Sequence, residues 1–178
     1  GGTIWQSIAD GEDYLSIALT EGEMTRGSGS YTDIYGSSFR LKDNADQFQR
    51  MLNVGGQYGD ISFRYIGDRF HVNEQDQYSA ISPYPIKEYF NQDRIEMKYT
   101  PKLGKEWTGN LQVNYSYDQP WKSNDEKTRQ LELNDPDNFA GVFFNQHLKR
   151  LAATGEVTYH PSDFYSVFVG ATAFNDKG

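Results

Sequence analysis

Residues 107–118 read WTGNLQVNYSYD and alternate between two kinds of side chain. Its odd positions carry one glycine and otherwise apolar or aromatic side chains: Trp107, Gly109, Leu111, Val113, Tyr115 and Tyr117. Its even positions are all polar: Thr108, Asn110, Gln112, Asn114, Ser116 and Asp118. Because successive side chains of a β-strand point to opposite faces, this alternation predicts a long strand with one apolar and one polar face.

The same two-residue period recurs along the chain, whereas helical periodicity is nearly absent. Seven further segments alternate in this way: 3–9, 15–20, 52–58, 61–65, 94–100, 150–159 and 164–174. Segment 3–9 alternates least clearly. We therefore predict an all-β chain of about eight antiparallel strands.

The connections alternate strictly between short turns and long polar loops. Short turns are expected around 11–12, 59–60, 101–105 and 161–163, and long loops at about 24–47, 72–91 and 119–146. Loops of that length are uncommon in compact soluble domains, but outer-membrane barrels have short turns at one rim and long loops at the other. The pattern predicts an antiparallel up-and-down transmembrane β-barrel with its long loops outside.

The apolar positions also predict how strands pair across three of the short turns. A one-residue slip would move the apolar set of a strand to the other face, so the apolar pattern restricts the register. The pairs expected beside these turns are Tyr58 with Ile61, Tyr99 with Trp107, and Tyr159 with Tyr165. Each register places apolar residues opposite apolar residues.

Aromatic residues cluster beside the short turns: Tyr14, Tyr58, Tyr99, Trp107, Tyr159, Phe164 and Tyr165. Tyr and Trp favour membrane–water interfaces, where part of the ring is in apolar surroundings and its polar group is in water. We predict that these residues form an aromatic girdle at one membrane interface. The alternative explanation is the general preference of aromatic residues for strands.

The choice between lipid and a soluble core depends on strand length, loop placement and the polar face. The chain has 178 residues with a mean hydropathy of −0.78, and no apolar run is long enough for a transmembrane helix. Long strands, loops that are long at one end only, and bulky polar side chains on the second face favour a membrane barrel with a wet lumen. The expected location is the cell outer membrane of a Gram-negative bacterium, with outer-membrane lipid as a partner.

Two alternatives remain open at this stage. One is a soluble or surface-exposed β-sheet protein that binds glycans, and the other is a complete small eight-stranded barrel with a structural or adhesive role. The formal net charge of −8 argues against nucleic acid as a partner, because phosphate binding requires clustered Lys and Arg.

The stretches YTDIYGSSF at 31–39 and LKDNAD at 41–46 resemble an early extracellular loop of some TonB-dependent outer-membrane receptors. Segment 48–65 resembles the hairpin that follows this loop. The resemblance covers most of the chain in its rhythm of turns and loops, but only 31–46 and this hairpin in their residues.

This resemblance implies a 22-stranded barrel with a plug domain in its lumen. It also implies TonB-dependent uptake of a scarce nutrient such as a ferric siderophore, haem, cobalamin or a glycan. The sequence contains no plug domain and no TonB box, and only about eight strands. We therefore expect residues 1–178 to be a single segment of the barrel wall, with open edges at about 3–9 and 164–174 and with the remaining strands and the plug as partners.

Catalytic and metal-binding patterns are absent from the sequence. His71, His147 and His160 share no ligand spacing, and the chain has no cysteine. The Gly-rich residues 27–30 lack a phosphate-loop lysine, and 134–138 lack the spacing of a calcium-binding EF-hand. We expect no enzymatic activity, no cofactor and no metal.

Aromatic residues in the long loops are the candidates for contact with a small nutrient ligand, because exposed rings can stack on one. They are Tyr31, Tyr35, Phe39, Tyr84, Tyr89, Phe90, Trp121, Phe139, Phe143 and Phe144. Packing of the loops on themselves would explain these rings equally well.

Overall fold

The structure is a computed structural model that describes residues 1–25, 27–32, 35–42, 45–74, 86–123 and 145–178. Strands dominate the described residues, and their bounds are β1 (Gly2–Asp10), β2 (Asp13–Met24), β3 (Ser30–Thr32), β4 (Ser38–Arg40), β5 (Gln47–Tyr58), β6 (Ile61–Glu74), β7 (Ile86–Tyr99), β8 (Trp107–Ser123), β9 (Asn145–Ser162) and β10 (Tyr165–Lys177). The all-β class is therefore confirmed. Within this part of the chain, no helix has the length and apolar character that crossing a membrane requires.

Eight of the strands form one antiparallel sheet in the order β1-β2-β5-β6-β7-β8-β9-β10. Each strand pairs with the next one in this series, so the predicted up-and-down order is confirmed. The strands are longer than the alternating segments predicted, because pairing continues into the ends of the expected loops. β3 and β4 form a separate two-stranded hairpin within the first expected loop.

The hairpin of β5 and β6 has the predicted register. Tyr58 faces Ile61 across a two-residue turn whose first residue, Gly59, has a φ of 54°. A positive φ at this position suits the tight turns that match strand twist, and glycine adopts it without strain. The Gly59 N–H also donates to Oδ1 of Asp13 at 2.7 Å, which fastens this turn to the start of β2.

The predicted register of β7 and β8 is wrong by four residues. Tyr99 faces Leu111, and not Trp107. The hairpin continues beyond Pro101, whose carbonyl accepts the N–H of Gly109 at 3.0 Å. Proline has no N–H but keeps its acceptor, so it does not have to end the pairing at this position.

The predicted register of β9 and β10 is wrong by two residues. Tyr159 faces Val167, and a bulge displaces the pairing between Val167 and Tyr165, which faces Ser162. The extra residue lies on the β9 side, next to Pro161. Both errors are even numbers of residues, so each side chain stays on its predicted face.

The sheet is a single layer with two open edges. No ladder joins β1 to β10 in the described residues, which confirms the expected open edges. Ala45 and Val72 are the buried apolar residues of this part of the chain, with 4% and 5% exposure. The described residues therefore contain no conventional hydrophobic core.

Two glycines on the same face of the sheet provide a matched test of this packing. A Cβ on Gly56 would come within 2.7 Å of the Phe63 ring and 3.0 Å of the Tyr14 carbonyl, whereas one on Gly155 would meet nothing within 4 Å. We expect Gly56→Val to lower the free energy of unfolding by about 1–3 kcal/mol because it overpacks the sheet.

Gly155→Val is the control, and we expect it to change the same free energy by less than about 0.5 kcal/mol. Urea titration of the intact protein measures both values. Equal losses at the two positions would contradict the close packing of Phe63 over Gly56.

Candidate functional surfaces of the sheet

Cross-strand pairing gathers the apolar side chains on one face of the sheet. We call this surface the apolar band; its members are Ile4, Ile8, Leu15, Ile17, Leu19, Leu52, Val54, Ile61, Phe63, Tyr65, Ile95, Met97, Leu111, Val113, Leu151, Val157, Val167 and Val169. Several of its side chains are more than half exposed, for example Met97 at 55% and Val169 at 73%. The described residues do not cover the band.

The predicted girdle residues lie at the turn end of the sheet. Tyr58, Tyr99, Trp107 and Tyr159 share the face of the apolar band, and the rings of Trp107 and Tyr159 stack at 4.4 Å. Tyr58 is 80% exposed. A row of rings therefore borders the band at this end.

The other three predicted girdle residues differ in position. Tyr14 faces Gln57 and lies on the polar face, because it is one residue out of phase with Leu15. Phe164 occupies the turn and is fully exposed, whereas Tyr165 begins β10 two residues before Val167 and therefore shares the face of the band. A position beside a turn is therefore not enough to assign a residue to a face of the sheet. The face depends on whether the residue is an odd or an even number of positions from the apolar residues of its strand.

Charged residues limit the apolar band toward the loop end. We call Glu21, Arg50, Arg69 and Asp93 the charged belt; all four lie on the face of the band. Glu21 pairs with Arg50. Arg69 donates to both carboxylate oxygens of Asp93, at 2.7 and 2.8 Å, and the Tyr65 hydroxyl donates to Oδ1 of Asp93 at 2.7 Å. These bonds compensate the charges where the band ends.

A ladder of rings lies beyond the charged belt. The Phe48 and His71 ring centroids are 5.1 Å apart, and those of His71 and Tyr89 are 5.7 Å apart. Tyr89 was a predicted ligand residue, but Phe48 and His71 were not. Phe48 lies between Gln47 and Gln49 on β5, and this alternation could have found it, whereas His71 lies between Phe70 and Val72 and has no such signal. The rings contact one another across three strands, so the ladder joins the strand ends.

The remaining predicted ligand residues do not form one site in the described part of the chain. Tyr31 faces Phe39 across the β3–β4 hairpin, although the Phe39 side chain is not described, and Tyr35 is 76% exposed. Phe90 lies on the polar face, 5.6 Å from the Phe70 ring. Trp121 is partly buried near the end of β8. Tyr84, Phe139, Phe143 and Phe144 lie outside the described residues.

The polar face is held by hydrogen bonds between neighbouring strands. Gln112 Nε2 donates to Glu96 at 2.7 Å, and Asn110 Nδ2 donates to Glu156 at 3.0 Å.

No group of three or more His, Asp or Glu residues that could hold a metal ion occurs among the described residues. The acidic segment 134–138 lies outside them.

Comparison with protein-family models, with curated proteins and with solved structures finds no match to this chain. The likeness to TonB-dependent receptors therefore remains a prediction based on the residues quoted above.

A double-mutant cycle tests the charged belt. Arg69 and Asp93 form a two-pronged ion pair with side chains 44% and 22% exposed. We expect a coupling free energy of about 0.5–1 kcal/mol from Arg69→Ala and Asp93→Ala, because partial burial reduces solvent screening. Urea titration of the four proteins measures it.

Arg150 and Asp176 are the matched control, since they form the same two-pronged contact at an open edge of the sheet. Their side chains are 53% and 35% exposed, so we expect a smaller coupling. A larger coupling at the edge than in the belt would show that burial does not set the strength of these pairs.

Proposed function

We propose that this chain is a segment of the wall of an outer-membrane β-barrel receptor that takes up a small nutrient in a TonB-dependent way. The observation that carries the proposal is the uncovered apolar band on a single-layered sheet. A β-sheet with one apolar face needs a second layer to cover that face. Lipid provides such a layer for a transmembrane barrel.

The height of the apolar band supports lipid as its cover. From Tyr58 to Arg50 on β5, and from Trp107 to Tyr117 on β8, the distance is about eight to ten residues, or about 27–34 Å along the strand at 3.4 Å per residue. A strand tilt of about 35° reduces this to about 22–28 Å, and the apolar band of a membrane barrel is about 25 Å tall.

The stagger of the turns supports this tilt. A row of paired residues that starts beside the second turn runs from Tyr58 through Ile61, Tyr99, Leu111 and Gly155 to Ala171. β9 and β10 continue about six residues beyond this row before their own turn, whereas the first two turns are level. Averaged over the sheet, the displacement of the turns along the strand direction is about one residue per strand. If the turns lie in one plane, this displacement corresponds to a strand tilt of about 35°.

The open edges support a wall that continues in further strands. β1 contains no Pro and no charged residue before Asp10, and β10 contains none before Asp176. Natural edge strands usually carry such residues, which prevent pairing with another chain. We infer that both edges pair with strands of the remaining wall.

The uptake of a nutrient, the plug and the dependence on TonB follow from the resemblance at 31–46 and in the next hairpin. Under this proposal, the nutrient is a ferric siderophore, haem, cobalamin or a glycan. The reading frame around this segment provides a direct test. An upstream plug-like domain and many downstream strands would support the proposal, and a frame with neither would contradict it.

A soluble glycan-binding β-sheet protein is the second candidate. The exposed rings of Tyr58 and Trp107 favour it, because sugars pack against such rings. In this case, a second protein layer would cover the apolar band.

Solubility separates the two candidates. We expect the purified chain to aggregate in plain buffer and to become folded and monodisperse only with detergent or lipid, since water cannot cover the apolar band. Circular dichroism and analytical ultracentrifugation in both media measure this. A folded monomer in plain buffer would contradict the membrane proposal.

Two substitutions on neighbouring residues test which face contacts lipid. Val113 lies on the apolar band between Met97 and Ala153, and Gln112 lies on the polar face. In lipid vesicles, we expect Val113→Arg to lower the free energy of unfolding of the intact barrel by about 2–4 kcal/mol, because it places a charge near the middle of the bilayer.

Gln112→Arg is the control, and it should cost much less because this side chain is in a wet lumen. Reversible urea unfolding from vesicles measures both. Equal costs at the two positions would contradict the assignment of the faces.

A further inference from the structure

A groove of about 530 Å³ lies on the polar face, across β6, β7, β8 and β9. It is lined by three arginines and two carboxylates, together with neutral polar residues: Arg64, Arg94, Arg150, Glu96, Asp118, Asn114 and Ser116. Its volume is in the range of small-molecule sites. We propose that this groove binds a small molecule that carries carboxylate or phosphate groups.

The strand register places one arginine on each side of Ser116, a small residue. Arg94 faces Ser116 on β8, and Ser116 faces Arg150 on β9. Directly opposed residues are about 5 Å apart, so the two arginine backbones are about 10 Å apart with only a serine between them. An oxyanion above Ser116 would lie between the two arginines, and a guanidinium can donate two parallel hydrogen bonds to it.

Arg94 is the anchor of the proposed site because its donors are available. It makes no hydrogen bond or ion pair with any other described residue, although a guanidinium has five N–H donors. The carboxylates beside it have other partners: Glu96 accepts from Gln112, and Asp118 accepts from Gln92. Both carboxylates keep their negative charge, but neither occupies an N–H donor of Arg94, so these donors are available to a ligand.

The guanidinium of Arg150 already binds Asp176, a residue of the edge strand β10. Its Nε and one terminal nitrogen donate to the two carboxylate oxygens of Asp176, both at 2.7 Å. Arg64 makes a weaker bond, from Nε to Oδ1 of Asn53 at 3.3 Å. Release of Arg150 from Asp176 would therefore add a second free guanidinium to the groove.

Apolar side chains at the rim define the rest of the ligand. Ile66, Leu148 and Ala152 line the groove beside the arginines. An oxyanion attached to an apolar body would use both surfaces, which favours an organic anion with an apolar body over a free inorganic ion. The groove is on the polar face, so this proposal does not depend on what covers the apolar band.

Isothermal titration calorimetry with benzene-1,3-dicarboxylate tests the site, in whichever medium keeps the intact chain folded. Benzene-1,3-dicarboxamide is the neutral control probe, and inorganic phosphate tests whether the anion alone is sufficient. We expect the dicarboxylate to bind more tightly than phosphate and the diamide not to bind.

The variants separate a specific site from general attraction of anions. Arg94→Gln should weaken dicarboxylate binding at least about tenfold, because it removes a charge-assisted hydrogen-bonding group. Lys98→Gln is the control: it removes the same charge on the same strand and face, outside the groove, and should change affinity less than about twofold. Asp176→Asn should tighten binding several-fold by releasing Arg150. Circular dichroism verifies that each variant is folded.

Four results would overturn the proposal: no binding of either anion, equal binding of the diamide, equal losses from Arg94→Gln and Lys98→Gln, or no gain from Asp176→Asn.

Discussion

Each strand of this sheet presents its side chains alternately to two faces. The backbone ladder determines which residues of neighbouring strands lie on the same face. Pairing can therefore shift by two or four residues without moving any side chain to the other face, whereas a shift by one residue would move them all. β7–β8 and β9–β10 illustrate the first case, since both pair differently from the sequence prediction and keep the same apolar face. The separation into an apolar and a polar face depends on this odd or even position.

Because the sheet is a single layer, its stability depends on surfaces outside the described residues. The ladder satisfies the backbone groups between neighbouring strands, but the outward groups of β1 and β10 have no strand partner there. The apolar band has no covering layer, and an isolated sheet of this kind is unfavourable in water. The proposed covering layer on one face and the proposed further strands at both edges would meet this same physical requirement.

The two faces of the sheet carry different kinds of side chain. The apolar band lies between the rings around Trp107 and the charged belt, which suits contact with a layer of limited thickness. The polar face has inter-strand hydrogen bonds and the arginine groove, which suits contact with water and a polar ligand. Neighbouring residues such as Gln112 and Val113 thus act in different environments although they share one strand.

The all-β class, the strand order and the assignment of most apolar residues to one face could be predicted from the sequence, because all three follow from the two-residue period and local turns. The polar face of Tyr14 was predictable in the same way, because Tyr14 is one residue out of phase with Leu15. How far pairing extends beyond Pro101 and the bulge near Pro161 were not predictable. These depend on hydrogen bonds and on a count of residues between partner strands. No sequence pattern predicts the Arg69–Asp93–Tyr65 contacts, the Phe48–His71–Tyr89 ladder or the arginine groove. Their residues lie on different strands, and only the register brings them together.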